Sequence, residues 1–352
     1  MRRFDKGLIL VTSLWIMGLV ALLAVGIGYR ISIEMRLSKY NVDRLSARYL
    51  AKAGLVKAQE YLSKDKNSYD TLYECGIMLD VEKTPESIFS AEFNRLGNGL
   101  FSVHHAHKKE YEEGEDLYYG MMDEERKINI NMDKIPHGDN TAEFRRILNA
   151  LFSNFTEDSI DIVNAIIDWQ DGGDFDSLTF PGGAEDFYYE TEYGYSCKDA
   201  GFETVEELLL VKGMDRDLFD RVKDHITVYS NGKININTAS KEVLGVIIDD
   251  EKGTYTSLVN DIIDFRKGTD GREGTEDDRV FTEIRELESV IEEDDIQGRN
   301  RVSQIGPYLA VKSENFRILS HGKIGRVTKT IDCVVMKEAV SDKIKIKYYH
   351  EG

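Results

Sequence analysis

From Leu8 to Tyr29 the sequence, LILVTSLWIMGLVALLAVGIGY, carries no ionisable side chain except the Tyr29 phenol, and charge returns only at Arg30. About 20 such residues cross a hydrocarbon core as a helix. Beyond Arg30 the pattern changes without a break: Ile33, Leu37, Tyr40, Leu45, Tyr49, Leu50, Val56 and Leu62 recur at roughly helical spacing, and no proline interrupts them. This predicts one rod from Leu8 to Leu62, about 80 Å long, apolar all round in its first half and amphipathic in its second. The second half should pack on a folded head.

The head opens with KTPESIFSAEFNRLGNG, which predicts a short helix capped by Thr84, with Pro85 at its first position and Gly97 beyond its end. Alternation then takes over. GLFSVHHAHKKEYEE and EDLYYGMMDEERKINI, broken at Gly114, predict a hairpin, and NFRILSHGKIG, RVTKTIDCVV and DKIKIKYYH predict three strands of an antiparallel sheet. Between these β regions lie helical patterns with an internal echo. KININ occurs at 127–131 and at 233–237; IIDWQDG follows the first and IIDFRKG the second, each with an acidic loop and then VEELLLVKG or IRELESV. Each unit reads as a strand end, a helix, an acid-rich turn and another helix, with Thr204 and Glu207 forming a capping box before a helix that Gly213 closes. Duplication and shared helical grammar both account for the echo.

At 352 residues and 41% apolar content the chain has room for a sizeable core. Its 45 basic against 64 acidic side chains leave a net charge of −19, which makes nucleic acid a poor partner for the body and leaves metal cations open. The leader MRRFDKG reverses that sign, holding Arg2, Arg3 and Lys6 against Asp5. The positive-inside rule puts this end in the cytoplasm and the body outside. A cleaved secretory signal is the competing reading, but its apolar region runs only about 7 to 15 residues before a small-residue cleavage site.

A basic leader ending in glycine, an apolar helix starting at once and an amphipathic continuation resemble type IV pilins and the pseudopilins of type II secretion. The resemblance implies that a prepilin peptidase cuts between Gly7 and Leu8, leaving a mature charge of −21 with the anchor retained. Most members carry glutamate at the fifth mature position, where this chain has Thr12; absence of that acid suits a tip subunit, and a tolerated small polar residue in a membrane helix is the plain alternative. The words SLWIMGLVALLA, AIIDWQDGGD, GGAEDFYY, ETVEELLLVKG and KININTASKEVL, in that order, resemble the type II secretion system protein K family. That family implies an α+β fold: a leader at 1–7, a transmembrane helix at 8–29, its amphipathic continuation at 30–62, a pilin-like sheet from 63–126 and 313–352, and an inserted helical domain at 127–312. It further implies a minor pseudopilin at the tip of the pseudopilus. Such a subunit is anchored in the inner membrane with a periplasmic body, joins the minor pseudopilins I and J, and starts or caps a piston that drives folded proteins through the secretin.

Chemistry concentrates in DWQDGGDFDSLTFPGGAEDFYY, whose carboxylates repel one another unless a cation sits among them. Calcium takes six to eight oxygens in flexible geometry; a solvated acidic loop is the bland alternative. The family resemblance favours calcium and carries over Asp171, Asp174, Asp176, Glu185 and Asp186 as ligands, with Asp168 structural. A second turn, KGTDGREGTEDDRVF, offers Asp270, Glu276, Asp277 and Asp278, with Gly271 and Gly274 at positive φ, and reads the same two ways. His105 and His107 share a strand face, which leaves a zinc pair beside His104 geometrically open against an exposed strand. Cys75, Cys197 and Cys333 are too few and too scattered to assign a bridge. There is no GxSxG, Walker A loop or HExxH, so an enzyme is not expected. A competing resemblance links KININTASKEVL to the helix-hairpin-helix of membrane-anchored DNA-uptake receptors, but the residues that follow, GVIIDDEKGTYTS, are acidic and lack the paired-glycine turn.

Overall fold

The computed structural model describes residues 4–72, 88–90, 94–108, 115–136, 141–172, 184, 186–250, 252–291, 295–338 and 343–352. The apolar stretch and its continuation form a single helix, α1 (Phe4–Lys64). Its most apolar window has a mean hydropathy of 2.6 and is entirely unburied, as expected of a membrane anchor. Burial begins at Ala47 and follows one face through Ala51, Leu55, Ala58 and Leu62. Small residues on that face let the helix approach the sheet closely. An added Cβ at Gly322 would collide with the backbone of Ala47 and Ala51, and one at Gly54 would collide with Ser320. Ser320 Oγ instead donates to the Ala51 carbonyl at 2.7 Å.

The sheet under α1 has the order β1 (Arg95–Leu96), β2 (Gly99–Lys108), β9 (Asn315–Ile324), β10 (Val327–Lys337) and β11 (Ile344–Glu351), antiparallel throughout. The outer half of β2 pairs with β3 (Glu115–Tyr119), and β4 (Met122–Asp123) pairs with β9. The hairpin and the three C-terminal strands therefore stand where alternation places them. Gly97 does not close a helix as expected. It sits at φ 60 in the two-residue turn that joins β1 to β2, where asparagine and glycine serve hairpins as readily as helix ends; Thr84 and Pro85 lie outside the described residues. In β10, Cys333 and Val335 face the α1 core, while Val334 between them joins the core of the helical part, the period-2 alternation of a sheet covered on both faces.

The helical part consists of two copies of one unit. The first runs β5 (Ile128–Asn129), α2 (Thr141–Phe152), α3 (Ser159–Asp168), an acidic loop, α4 (Asp186–Glu192), a 3-10 turn at Val205–Leu210, α5 (Arg216–Val222) and β6 (Ile226–Thr227). The second runs β7 (Ile234–Asn235), α6 (Lys241–Ile248), α7 (Thr256–Arg266), an acidic loop, a 3-10 turn at Ile284–Val290, α8 (Ile296–Ile305) and β8 (Leu309–Ala310). Each opening strand pairs in parallel with its closing strand, Ile128 with Ile226 and Ile234 with Leu309. The asparagines of KININ explain the echo. Asn131 accepts from Phe202 N at 2.6 Å and donates to Phe202 O at 3.0 Å; Asn237 does the same with Phe281, both at 2.9 Å. Those phenylalanines stack on Trp169 and Phe265, the aromatic residues of IIDWQDG and IIDFRKG. The extra helix α4 belongs to the first copy alone, which accounts for the unequal spacing. The Thr204–Glu207 capping box is present, at the head of the first 3-10 turn.

The chain enters the helical part through Asp123–Glu124–Glu125 and leaves it through Ser313–Glu314–Asn315, and the two crossings are tied by buried carboxylates. Asp123 Oδ2 accepts from Thr238 Oγ1 (2.7 Å), Ser313 Oγ (2.8 Å) and Asn235 Nδ2 (3.0 Å). Glu125 Oε1 accepts from Asn315 Nδ2 at 2.7 Å, and Asp70 Oδ2 from Ser313 N at 2.6 Å. Burial pushes the carboxyls of Asp70 and Glu125 up to about 8. Buried networks of this kind hold one arrangement of two packed units.

Candidate functional site

Two surfaces bear on function, the free side of α1 and the acidic loops of the helical part. On α1, Met35, Val42, Leu45, Tyr49 and Val56 are all more than half exposed. With Ser38 and Lys52 they fall at alternating spacings of three and four residues, the seam of a helix that meets another helix. This seam lies opposite the Ala47–Ala51–Ala58 face that holds the sheet. Arg48 beside the seam and Lys52 within it bridge to Glu351 on β11 at 2.5 and 3.4 Å, fixing the helix azimuth from its side. In the membrane-length half, Gly7 and Leu8 lie within the helix, and Thr12 Oγ1 donates to the Ile9 carbonyl at 3.0 Å. The hydroxyl is thus satisfied within its own helix, with no demand on a partner.

In the first acidic loop, Asp171 follows the end of α3 and Asp186 opens α4, while Asp174, Asp176 and Glu185 lie outside the described residues. Asp186 Oδ1 accepts from Cys197 N at 2.7 Å. A third carboxylate, Asp199, was not legible in the sequence. It adopts φ 52, uncommon for a residue with a side chain, and its N–H donates to the Trp169 carbonyl at 3.1 Å. Its carboxyl is raised by loss of water and then by the charges of Asp186 and Asp171. Carboxylates from three separate segments are thus near enough for their charges to act on Asp199, and Trp169, Tyr189 and Tyr195 nearby in sequence pack on one another. Asp168 is fully buried beneath, in the structural place expected of it. Carboxylate oxygens are the donors a hard divalent cation takes, and among the described residues no group of three or more His, Cys, Asp or Glu is placed to hold a metal ion.

The second loop is built differently. Gly271 and Gly274 take positive φ as their spacing predicts. Asp277 accepts from Thr269 N (2.6 Å), Thr269 Oγ1 (2.5 Å), Asp270 N (3.0 Å) and Thr275 Oγ1 (2.9 Å), which holds its carboxyl far below the usual range. Asp278 accepts from Gly274 N at 2.7 Å, and Asp270 from Arg272 N at 2.8 Å; Glu276 is exposed. The hairpin between α6 and α7 is likewise occupied by its own acids. Asp250 Oδ1 accepts from Lys252 N and Thr254 N, and Asp249 Oδ1 from Tyr255 N. Amides that a helix-hairpin-helix offers to phosphate are here already bonded to carboxylates.

His104 stacks on His321 at 4.0 Å, and burial lowers its imidazole to about 4, an arrangement of neutral rings packed in the sheet. The side chain of His107 lies outside what is described. Cys197 and Cys333 are buried, Cys197 Sγ lying 3.7 Å from the Ala184 carbonyl, and Cys75 is outside the described residues.

Residues 126–231 match a family model described as type II secretion system (T2SS), protein K. No curated protein matches the chain. Among solved structures, a chain in the crystal structure of the GspK-GspI-GspJ complex from the enterotoxigenic Escherichia coli type 2 secretion system is similar, with a TM-score of 0.62 and 17% identity. The likeness covers 91% of this chain and 99% of that one. The matched region is the first copy of the repeated unit with its acidic loop, and the shared fold takes in the long helix and the sheet. By domain, residues 126–231 are similar to type II secretion system protein K, and by fold the chain is similar to a chain of the GspK-GspI-GspJ complex.

Proposed function

We propose that this protein is a minor pseudopilin that sits at the end of the pseudopilus, where it starts or caps a fibre that moves folded proteins through the outer-membrane secretin. The observation that carries this reading is the exposed seam of α1, from Met35 to Val56, on a helix whose other face is already spent on its own sheet. Exposed apolar side chains at heptad spacing need a partner helix. Two pilin-like subunits of the same system, the minor pseudopilins I and J, fit, since the similar chain comes from a GspK-GspI-GspJ complex. The inserted helical part crowns the sheet, so a further copy stacked above it would collide with it, and the end of the fibre is the position left open. Thr12 agrees with that position, because a subunit with nothing ahead of it has no terminal amine to neutralise.

Processing by a prepilin peptidase between Gly7 and Leu8, an amino terminus in the cytoplasm and a body in the periplasm complete the reading. Calcium in the first acidic loop would be held by Asp171, Asp186 and Asp199, with Asp174, Asp176 and Glu185 in the same stretch of sequence. When bound, the ion neutralises these carboxylates and ties α4 to the end of α3. No catalysis is proposed. The test is disulfide trapping: single cysteines at Leu45, Tyr49 and Val56 should crosslink to cysteines on the helices of two other pseudopilins in membranes, while a cysteine at exposed Asp217 on α5 should not. Trapping at Asp217 alone would sink the proposal.

A further inference from the structure

We infer that the two acidic loops do not share a chemistry: the buried Arg266 guanidinium is the cation of the second loop, so calcium belongs to the first copy of the unit alone. This rests on the calcium reading above for its first half only. In the repeat, Gln170 and Arg266 are equivalent, each the residue after the stacked aromatic. Gln170 Nε2 donates to the Ile130 carbonyl at 3.0 Å, and Arg266 Nη1 donates to the Ile236 carbonyl at 3.1 Å, the matching residue of the second KININ. Arg266 adds a bond to the Ala239 carbonyl at 2.7 Å and an ion pair with Glu273 at 2.8 Å.

The next position inverts as well, Asp171 in the first copy becoming Lys267 in the second. One copy thus sets a neutral amide and an acid at the root of its loop, and the other sets two bases. Arg266 is 3% exposed and Glu273 faces it from the loop, so positive charge is already installed where the first copy has none. A divalent ion placed there would be repelled by a guanidinium that cannot lose its proton. The loop's other acids are engaged too. Asp277 and Asp278 close the turn through the backbone and hydroxyls of Thr269, Gly274 and Thr275, and Gly268, at φ 62, would meet the Asp277 carbonyl if it carried a Cβ. The second copy needs no ion to hold its loop, and chelation should loosen the first copy only.

The experiment uses the full chain in detergent, with calcium chloride titrated calorimetrically and hydrogen exchange followed with calcium or with chelator. Asp171→Asn with Asp186→Asn should abolish the calcium-dependent rise in melting temperature. Asp277→Asn with Asp278→Asn should leave calcium stoichiometry and that rise unchanged. Chelator should raise exchange around 186–201 and leave 266–281 as it was. Arg266→Gln, which installs the first copy's residue, should lower the melting temperature in chelator by about 5 °C or more and raise exchange over 266–281. Loss of a calcium equivalent in the Asp277/Asp278 variant would overturn the inference while the calcium reading stands. If the parent chain binds no calcium, that reading falls and the Arg266→Gln exchange result decides alone: unchanged exchange over 266–281 would then overturn it. Should Arg266→Gln fail to fold, the stoichiometry of the Asp277/Asp278 variant is decisive.

Discussion

Replacing Asn237 by alanine tests the construction of the helical part at its most specific point. The asparagine makes two hydrogen bonds with Phe281, at 2.9 Å each, and Phe281 is fully buried. Removing the amide loses about 1 kcal/mol for each bond and leaves a buried N–H and C=O without their partner, which costs about 1–3 kcal/mol more. The total is about 3–5 kcal/mol, or about 10 °C in melting temperature for a body of this size. Asn131→Ala should cost a similar amount, because its bonds to Phe202 have the same geometry. The two sites share no partner, so the double variant should show the sum. Asn237→Asp, which keeps the acceptor and loses the donor, should fall between parent and alanine. The assay is urea unfolding of the detergent-solubilised chain followed by circular dichroism. A loss below about 1 kcal/mol for both alanine variants would refute the idea that these asparagines clamp each copy.

Three further outcomes follow from the packing and the buried acids. Gly322→Val should detach α1 from the sheet, since the added atoms meet helix backbone rather than a flexible side chain; limited proteolysis after Lys64 should accelerate, and an unaltered digest would contradict the close approach. Asp70 has its carboxyl raised from an ordinary value near 4 to about 8; its stabilising contribution is complete below the unfolded value and is lost as pH rises through the folded one. Melting temperature should therefore fall between about pH 5 and pH 8, and Asp70→Asn should flatten that slope; an equal slope in the variant would show that another group titrates. Val42→Glu together with Tyr49→Glu should abolish co-purification with the partner pseudopilins while leaving the melting curve within a degree or two of the parent, because both side chains are more than half exposed; retained co-purification would remove the seam from the account.

Much of this was readable from pattern alone. The rod, the hairpin after Gly99 and the three C-terminal strands follow from the apolar period, which burial enforces on every residue of an element. Gly97 was misplaced because a glycine after a polar run closes helices and turns hairpins with equal ease, and only the partner strand decides. The KININ echo was visible, but the role of its asparagines was not, since their partners lie 71 and 44 residues away. The burial of Asp123, Glu124 and Glu125 had no signal either; it depends on donors such as Asn235, Ser313 and Asn315, which lie more than 100 residues further along the chain. Asp199 had no signal at all, as its place beside Asp171 and Asp186 comes from a backbone turn. In the second loop, the ion pair of buried Arg266 with Glu273 had no signal either, because it depends on how the loop folds back on α7.

The central claim is a single copy at the end of the fibre, and position in the fibre tests it most directly. A small tag after exposed Gly352, labelled with gold on isolated pseudopili and viewed by electron microscopy, should mark one end of each fibre and nothing between. Labels repeating along the shaft would contradict the account, because the helical crown would then have neighbours above it.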